Sequence, residues 1–196
     1  MQRHIDYRTI IASLAFTVGS STSLAAELDV RQDGSGGRVA VQASSEFTAF
    51  DVGIEQGGTD NRLELSIDSG LHALVEQRGD DGLIDLSVSG ISAQLDVLQV
   101  GQSNQLFGQI GGQDTTLHAE QTGNGNLVTV TTSGQGAHVS LAQSGDDNRM
   151  SADSNGAPLD LRQLGDGNHL DVGDLSGSTG ISVVQEGRGE SLVITR

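Results

Sequence analysis

A Gln-x-Gly tripeptide recurs eight times along this chain, at Gln32/Gly34, Gln56/Gly58, Gln77/Gly79, Gln99/Gly101, Gln121/Gly123, Gln143/Gly145, Gln163/Gly165 and Gln185/Gly187. Successive glutamines stand 24, 21, 22, 22, 22, 20 and 22 residues apart. A fixed period in this range marks a solenoid or array. Each repeat is then one small unit that buries its apolar face only by stacking on its neighbours. The repeats are numbered here as rows 1 to 8 from the N-terminus.

The rest of each row keeps the same register. Four residues before the Gln stand Leu28, Val52, Ala73, Leu95, Leu117, Val139, Leu159 and Ile181. Two before it stand Val30, Ile54, Val75, Val97, Ala119, Leu141, Leu161 and Val183. Seven after it come Val39, Leu63, Ile84, Leu106, Val128, Met150, Leu170 and Leu192. Nine after it come Val41, Leu65, Leu86, Val130, Ala152, Val172 and Ile194, with Gly108 breaking the series. Polar residues such as Asp29, Asp96, Glu64 and Asp171 fall between them. Alternation with period two is the pattern of a strand with one buried face, and the three-and-four spacing of a helix is missing.

Each row therefore reads as strand, turn, strand, turn. The eight glycines of the tripeptide, Gly34, Gly58, Gly79, Gly101, Gly123, Gly145, Gly165 and Gly187, are read as turn glycines. They stand in segments such as Gly123-Asn124-Gly125-Asn126 and Gly165-Asp166-Gly167-Asn168, whose residues tolerate positive φ. Two strands do not make a stable layer alone, so the rows must stack. The expected fold is all-β, a β-solenoid of about eight stacked strand-turn-strand repeats of about 22 residues. At about 4.8 Å per layer such a column is roughly 38 Å tall.

The Gln shares the parity of the apolar positions before it and is expected to point inward. Five residues later the inward parity is held by Asn61, Asn104, Asn126, Asn148 and Asn168, and by Gly37, Gly82 and Glu190 in the remaining rows. A single buried amide without partners costs about 1–3 kcal/mol. A stack of identical amides removes that cost, because each donates to one neighbouring row and accepts from the other. These thirteen Gln and Asn residues are the expected amide ladder.

Composition narrows the function classes. Aromatic residues make up only 3% of the chain, which disfavours a jigsaw core of large side chains. A formal charge of −16 argues against nucleic acid and anionic lipid as partners. There is no cysteine, hence no disulfide framework and no thiolate metal site. Residues 1–25 have the form of a secretory leader, with Arg3 and Arg8, an apolar run from Ile10 to Val18, and small residues at Ser23-Leu24-Ala25. The mature chain is then 26–196, a secreted protein with no membrane span.

No catalytic residue, metal site or cofactor is expected. The four histidines outside the leader, His72, His118, His138 and His169, are read as sharing no common register, and no nucleophile motif accompanies them. A calcium β-roll needs a nine-residue Gly-Gly-x-Gly-x-Asp period. Asp146, Asp147 and Asp166 are more simply turn residues. Stacking is expected to set like charges side by side at Glu55 and Glu76 and at Glu64 and Asp85, and to line up outward Leu83, Phe107 and Leu127 as an apolar stripe.

The row Gln-x-Gly-x-x-Asn-x-apolar, seen best at Gln121-Thr122-Gly123-Asn124-Gly125-Asn126-Leu127-Val128, resembles the curlin repeat of curli fibre subunits. The resemblance spans Leu28 to Arg196. It implies export through the curli secretion machinery, polymerisation with further copies and with another curlin subunit, and a role in adhesion and biofilm matrix. The chain departs from that pattern six residues before the Gln, where Ala26, Phe50, Leu71, Ala93, Thr115, Ala137, Ala157 and Thr179 stand in place of Ser. Its last residues, Val193 to Arg196, resemble the basic tail of minor, nucleating curlins. A capped, monomeric surface adhesin of the same architecture is the alternative reading.

Overall fold

The alternating segments become two parallel sheets that run the length of one column. The computed structural model of the chain describes residues 9–14, 25–43, 49–68, 70–178 and 180–195. The first strands of the rows, Ala25–Val30, Ala49–Ile54, His72–Leu74, Gln94–Val97, Thr116–Ala119, His138–Ser140, Leu159–Asp160 and Ile181–Ser182, form one eight-stranded sheet. The second strands are Arg38–Ala43, Leu63–Ile67, Ile84–Val88, Leu106–Ile110, Val128–Thr132, Met150–Ser154, Asp171–Val172 and Val193–Ile194. They form the other sheet, which Thr9–Leu14 extends to nine strands. Neighbouring strands are parallel and one row apart, so Leu95 pairs with Leu117 and Leu117 with Val139. The described residues contain no helix, and the fold is a β-solenoid.

The apolar positions line the interior as continuous ribs. All of those named above that lie in rows 2 to 7 are buried, as are Val30, Val39 and Val41 of row 1. At the one break, a Cβ on Gly108 would come 3.2 Å from Val130, whose side chain leans into the gap. The interior also holds two further ribs that the periodicity left unread. Leu71, Ala93, Thr115, Ala137 and Ala157 are buried six residues before the Gln, and Ala43, Ile67, Val88, Ile110, Thr132 and Ser154 are buried eleven after it. Where these positions carry hydroxyls, the hydroxyls find carbonyl partners, as Thr115 Oγ1 does on Gly111 at 3.2 Å and Ser154 Oγ on Ala157 at 2.5 Å.

The first turn takes its positive φ from residues other than the glycines expected to supply it. Of the eight tripeptide glycines only Gly34 has positive φ; Gly58, Gly79, Gly101, Gly123, Gly145, Gly165 and Gly187 do not. Two of them lie in strand rather than turn, since Gly165–Asp166 pairs in parallel with Gly187–Arg188 as a short ladder of its own. The left-handed residues are the glycines' neighbours: Arg78, Val100, Thr122, Ser144 and Leu164 just before, and Thr59, Asp80, Gln102, Asn124, Asp146 and Asp166 just after. Val and Thr are poorly suited to that region, so the stack imposes it. The corner pairs backbone to backbone between rows, each glycine donating its N–H to the carbonyl of the residue before the preceding row's glycine. The bond is 3.2 Å at Gly79, 2.8 Å at Gly101, Gly123, Gly145 and Gly165, and 2.9 Å at Gly187.

Two expectations about the outer surface also change. Leu83 and Leu127 share a register with Gln105, whereas Phe107 pairs with Asp85 and Thr129 two residues along, so the three do not form a stripe. Glu55 and Glu76 do not face each other uncompensated, because Arg78 reaches both, at 3.2 and 2.9 Å. The four histidines have no common register, although His72 and His138 both stand five residues before their glutamines, in the column His72, Gln94, Thr116, His138. His72 lies 3.7 Å from Asp51 and 3.9 Å from Asp96, an exposed cluster on the outer face of the first sheet.

No helix among the described residues is long and apolar enough to cross a membrane. Of the leader, Thr9–Leu14 is described as a strand, whereas Arg3, Arg8, Ser23 and Leu24 lie outside the described residues. Thr179 and Arg196, of the last row, lie outside them too.

Candidate functional site

The end of each first strand places its Gln inward, where the next residues turn the corner. Gln32, Gln56, Gln77, Gln99, Gln121, Gln143 and Gln163 are buried, and Gln185 is half-buried. Their amides form one unbroken column. The Nε2 of Gln32 donates to the Oε1 of Gln56 at 3.4 Å, Gln56 to Gln77 at 2.5 Å, and Gln77 to Gln99 at 2.6 Å. Gln99 donates to Gln121 at 2.5 Å, Gln121 to Gln143 at 3.0 Å, Gln143 to Gln163 at 2.6 Å, and Gln163 to Gln185 at 2.7 Å. In four rows the same nitrogen also donates to the carbonyl six residues on, from Gln99 to Gln105, Gln143 to Arg149, Gln163 to His169 and Gln185 to Ser191. The Gln thus stitches rows together and closes the turn within its own row.

The asparagines form a second column that runs the other way. Asn126 donates to Asn104, Asn148 to Asn126 and Asn168 to Asn148, each at 2.8 Å. Gln donors therefore point toward the C-terminal end of the stack and Asn donors toward the N-terminal end. Bonds within one column polarise one another, and the two opposed columns offset each other's dipoles. Asn61 stands apart from this column and donates to the Gly57 carbonyl at 3.1 Å. Between it and Asn104 lies Gly82, and the Oδ1 of Asn61 and the Nδ2 of Asn104 are both buried without a partner. A Cβ on Gly82 would lie 2.7 Å from Gln77 Nε2 and from Gln99 Oε1, so the Gln column has leaned into the space the missing Asn leaves.

A third column runs along the outside of the corner. The side chain three residues after the Gln accepts the N–H of its counterpart in the preceding row: Asp80 from Thr59 at 2.6 Å, Asn124 from Gln102 at 2.6 Å, Asp146 from Asn124 and Asp166 from Asp146 at 3.0 Å. The recurrence of Asp and Asn at this position is the sequence signal for it. A Cβ on the tripeptide glycine next door would come tight against this column only at Gly58, 3.3 Å from the Asp80 carboxylate; at Gly123 and Gly145 it would make ordinary contact with Asp146 and Asp166, at 3.5 and 3.6 Å. The row after Gly79 carries Gln102 in place of Asp or Asn, and a Cβ there would meet nothing within 4 Å. Among the described residues no three His, Cys, Asp or Glu side chains converge to hold a metal ion.

The two ends of the stack present different surfaces. At the N-terminal end the Gln column stops on Gln32, whose Oε1 is buried and has no donor. At the other end Gln185 donates only to Ser191, at 2.8 Å, which leaves its second N–H unused. The Asn column is closed there by the backbone of Arg188, which donates to Asn168 at 2.9 Å. The interior positions of row 8 have nothing stacked on them among the described residues, and Ile181, Leu192 and Ile194 are 38%, 53% and 50% exposed.

No family model, no curated protein and no solved structure matches the chain.

Proposed function

We propose that the mature chain is a secreted structural subunit of curli-like fibres, adding head to tail so that row 8 of one copy stacks on row 1 of the next. The observation that carries this reading is the mismatch left open at each end of the Gln column: a buried acceptor on Gln32 and an unused donor on Gln185. Joined across two copies, these groups complete one another at the spacing the other rows already use. The exposed Ile181, Leu192 and Ile194 would be buried in the same step. A strand edge with free N–H and C=O groups recruits further strands by main-chain hydrogen bonding.

The repeat's resemblance to curlins supports the same reading and adds its wider setting: passage through the curli secretion machinery, contact with another curlin subunit, and a place in adhesion and biofilm matrix. The interior of rows 2 to 7 is filled by side chains that bond or pack row to row, a continuity that a further copy would extend. The test is thioflavin T fluorescence with electron microscopy on the mature chain released from denaturant at several concentrations. Fibres that grow after a concentration-dependent lag are the expected result, and a shortened lag of another curlin would add a nucleating role. A soluble β-rich monomer at every concentration would overturn the fibre reading in favour of a monomeric adhesin.

A further inference from the structure

We infer that the segment Thr9–Leu14 is a removable half-cap, which occupies the N-terminal edge of the second-strand sheet and leaves that edge open to another copy of the chain once it is gone. The segment lies parallel to Arg38–Ala43, paired residue for residue from Thr9 opposite Arg38 to Leu14 opposite Ala43. Its sequence imitates a row. Ile10, Ala12 and Leu14 take the register positions of Val39, Val41 and Ala43, the three interior ribs of that sheet, and Thr9, Ile11 and Ser13 take the alternate ones. The apolar run that suits a secretory leader therefore also suits the sheet edge.

The backbone hydrogen bonds identify what the segment covers. In a parallel ladder alternate residues of a strand face opposite neighbours. Val39 donates to the Arg62 carbonyl at 2.9 Å, and the carbonyls of Gly37 and Ala43 accept from Arg62 and Asp68 at 3.0 Å. The odd-numbered residues of Arg38–Ala43 thus face row 2, and Arg38, Ala40 and Gln42 face Thr9–Leu14. Without the segment, those three residues present a bare edge.

The cap is incomplete in two respects, and both favour its replacement. It covers one sheet only: Ala25–Val30 is the end strand of the other sheet, with nothing paired beyond it among the described residues. It also leaves the Oε1 of Gln32 without a donor. A true row supplies that donor, as every following Gln does for the one after it. Row 8 of a second copy would pair its last strand, Val193–Ile194, with the same edge and would add a side-chain bond that the segment lacks, from Gln185 to Gln32. The segment holds its place by being part of the same chain, which keeps its effective concentration high, and cleavage removes that advantage.

The identity of the second occupant rests on the fibre reading; the cap itself does not. The experiment compares the full chain with its Ile10→Asp/Ala12→Asp variant, whose changes lie outside the eight rows and put charges at the register positions of Val39 and Val41. Amide hydrogen exchange is followed at low concentration, where both chains are monomeric. Protection of the Arg38, Ala40 and Gln42 amides in the full chain, lost in the variant while those of Leu106–Ile110 stay protected, is the expected result. Equal exchange at the three amides in both chains would overturn the cap, whether or not fibres form. Assembly is then followed at high concentration, and the variant should show a lag shorter by about tenfold or more. Loss of protection with no fibres from either chain would leave the cap standing and remove the fibre reading alone; loss of protection with unchanged lags would overturn the growth-blocking role assigned to it.

Discussion

Rows 5 and 8 carry the same pattern and meet different fates. Row 5 keeps Leu117, Ala119, Gln121, Asn126, Val128 and Val130 buried, on strands of four and five residues. Row 8 matches it with Ile181, Val183, Gln185, Leu192 and Ile194, yet Ile181, Leu192 and Ile194 are exposed; its strands are two residues long, as are those of the covered row 7. The difference is a neighbour. Row 5 is covered on both sides, and row 8 on one. In a quasi-one-dimensional fold a row's burial is mostly a property of its interfaces, so the same apolar pattern is buried in row 5 and exposed in row 8.

The largest contrast is expected from paired core truncations. Leu117→Ala should cost about 2–5 kcal/mol, because a fully buried side chain leaves a cavity in a rib. Leu192→Ala, the same change in row 8, should stay within about 0.5 kcal/mol in the monomer. Urea unfolding midpoints measure both, and equal losses would erase the distinction between covered and uncovered rows.

Amide substitutions come next. Gln121→Leu removes the donor to Gln143 and the acceptor for Gln99, at a cost of about 1–3 kcal/mol. Gln185→Leu, which takes the acceptor from Gln163 but leaves it its bond to His169, should cost the monomer less than Gln121→Leu, and it should lengthen the lag of fibre growth, since it deletes the donor proposed for Gln32 of the next copy.

Gly82 sharpens the comparison from within the covered rows. Gly82→Asn places an amide between the unpaired Oδ1 of Asn61 and Nδ2 of Asn104. Only the flexible ends of Gln77 and Gln99 must move to admit it, and rows 4 to 7 show that the two columns coexist. A gain of about 1 kcal/mol is expected. Gly82→Ala has the same steric demand and no new bond, so it should destabilise. Opposite signs in thermal unfolding check the argument, and equal signs would break it.

The smallest effect belongs to the surface. Arg78→Ala removes the cation between exposed Glu55 and half-buried Glu76, and should cost about 0.5 kcal/mol at low salt and less in high salt.

Most of the fold was legible because a solenoid writes its register openly. The four apolar ribs, the inward parity of Gln32 through Gln185 and the row spacing all follow from period two within a period of about 22 residues. The two remaining ribs were hidden by composition. Ala93, Ala137, Thr132 and Ser154 are small or hydroxylated and do not announce burial, although their parity matches Leu95, Val139, Val130 and Ala152. The left-handed residues were hidden for another reason. Val100 and Thr122 have no local preference for positive φ, and only the pairing of one corner with the next places them there. The glycines beside them misled for the same reason: Gly79 and Gly187 look like turn residues by type, yet their backbone is set by the row they pair with. The polarity of the Gln column has a similar source: sequence sets which residues stack, whereas the bond that Nε2 makes to its own turn at Gln99, Gln143, Gln163 and Gln185 fixes which way the amides point. Arg78 was readable as a cation one residue after its Gln, but its reach back to row 2 depends on how the turn directs the side chain.

The most direct test is residue-resolved hydrogen exchange on the edge amides of the last row. Val193 and Thr195 donate to Leu170 and Val172, both at 3.0 Å, which leaves the N–H groups of Leu192 and Ile194 facing the open end. The account predicts rapid exchange at Leu192 and Ile194 in the monomer, and slowing toward the level of Leu106–Ile110 once the chain assembles. Slow exchange of these two amides in the isolated monomer, or rapid exchange persisting in the fibre, would contradict it.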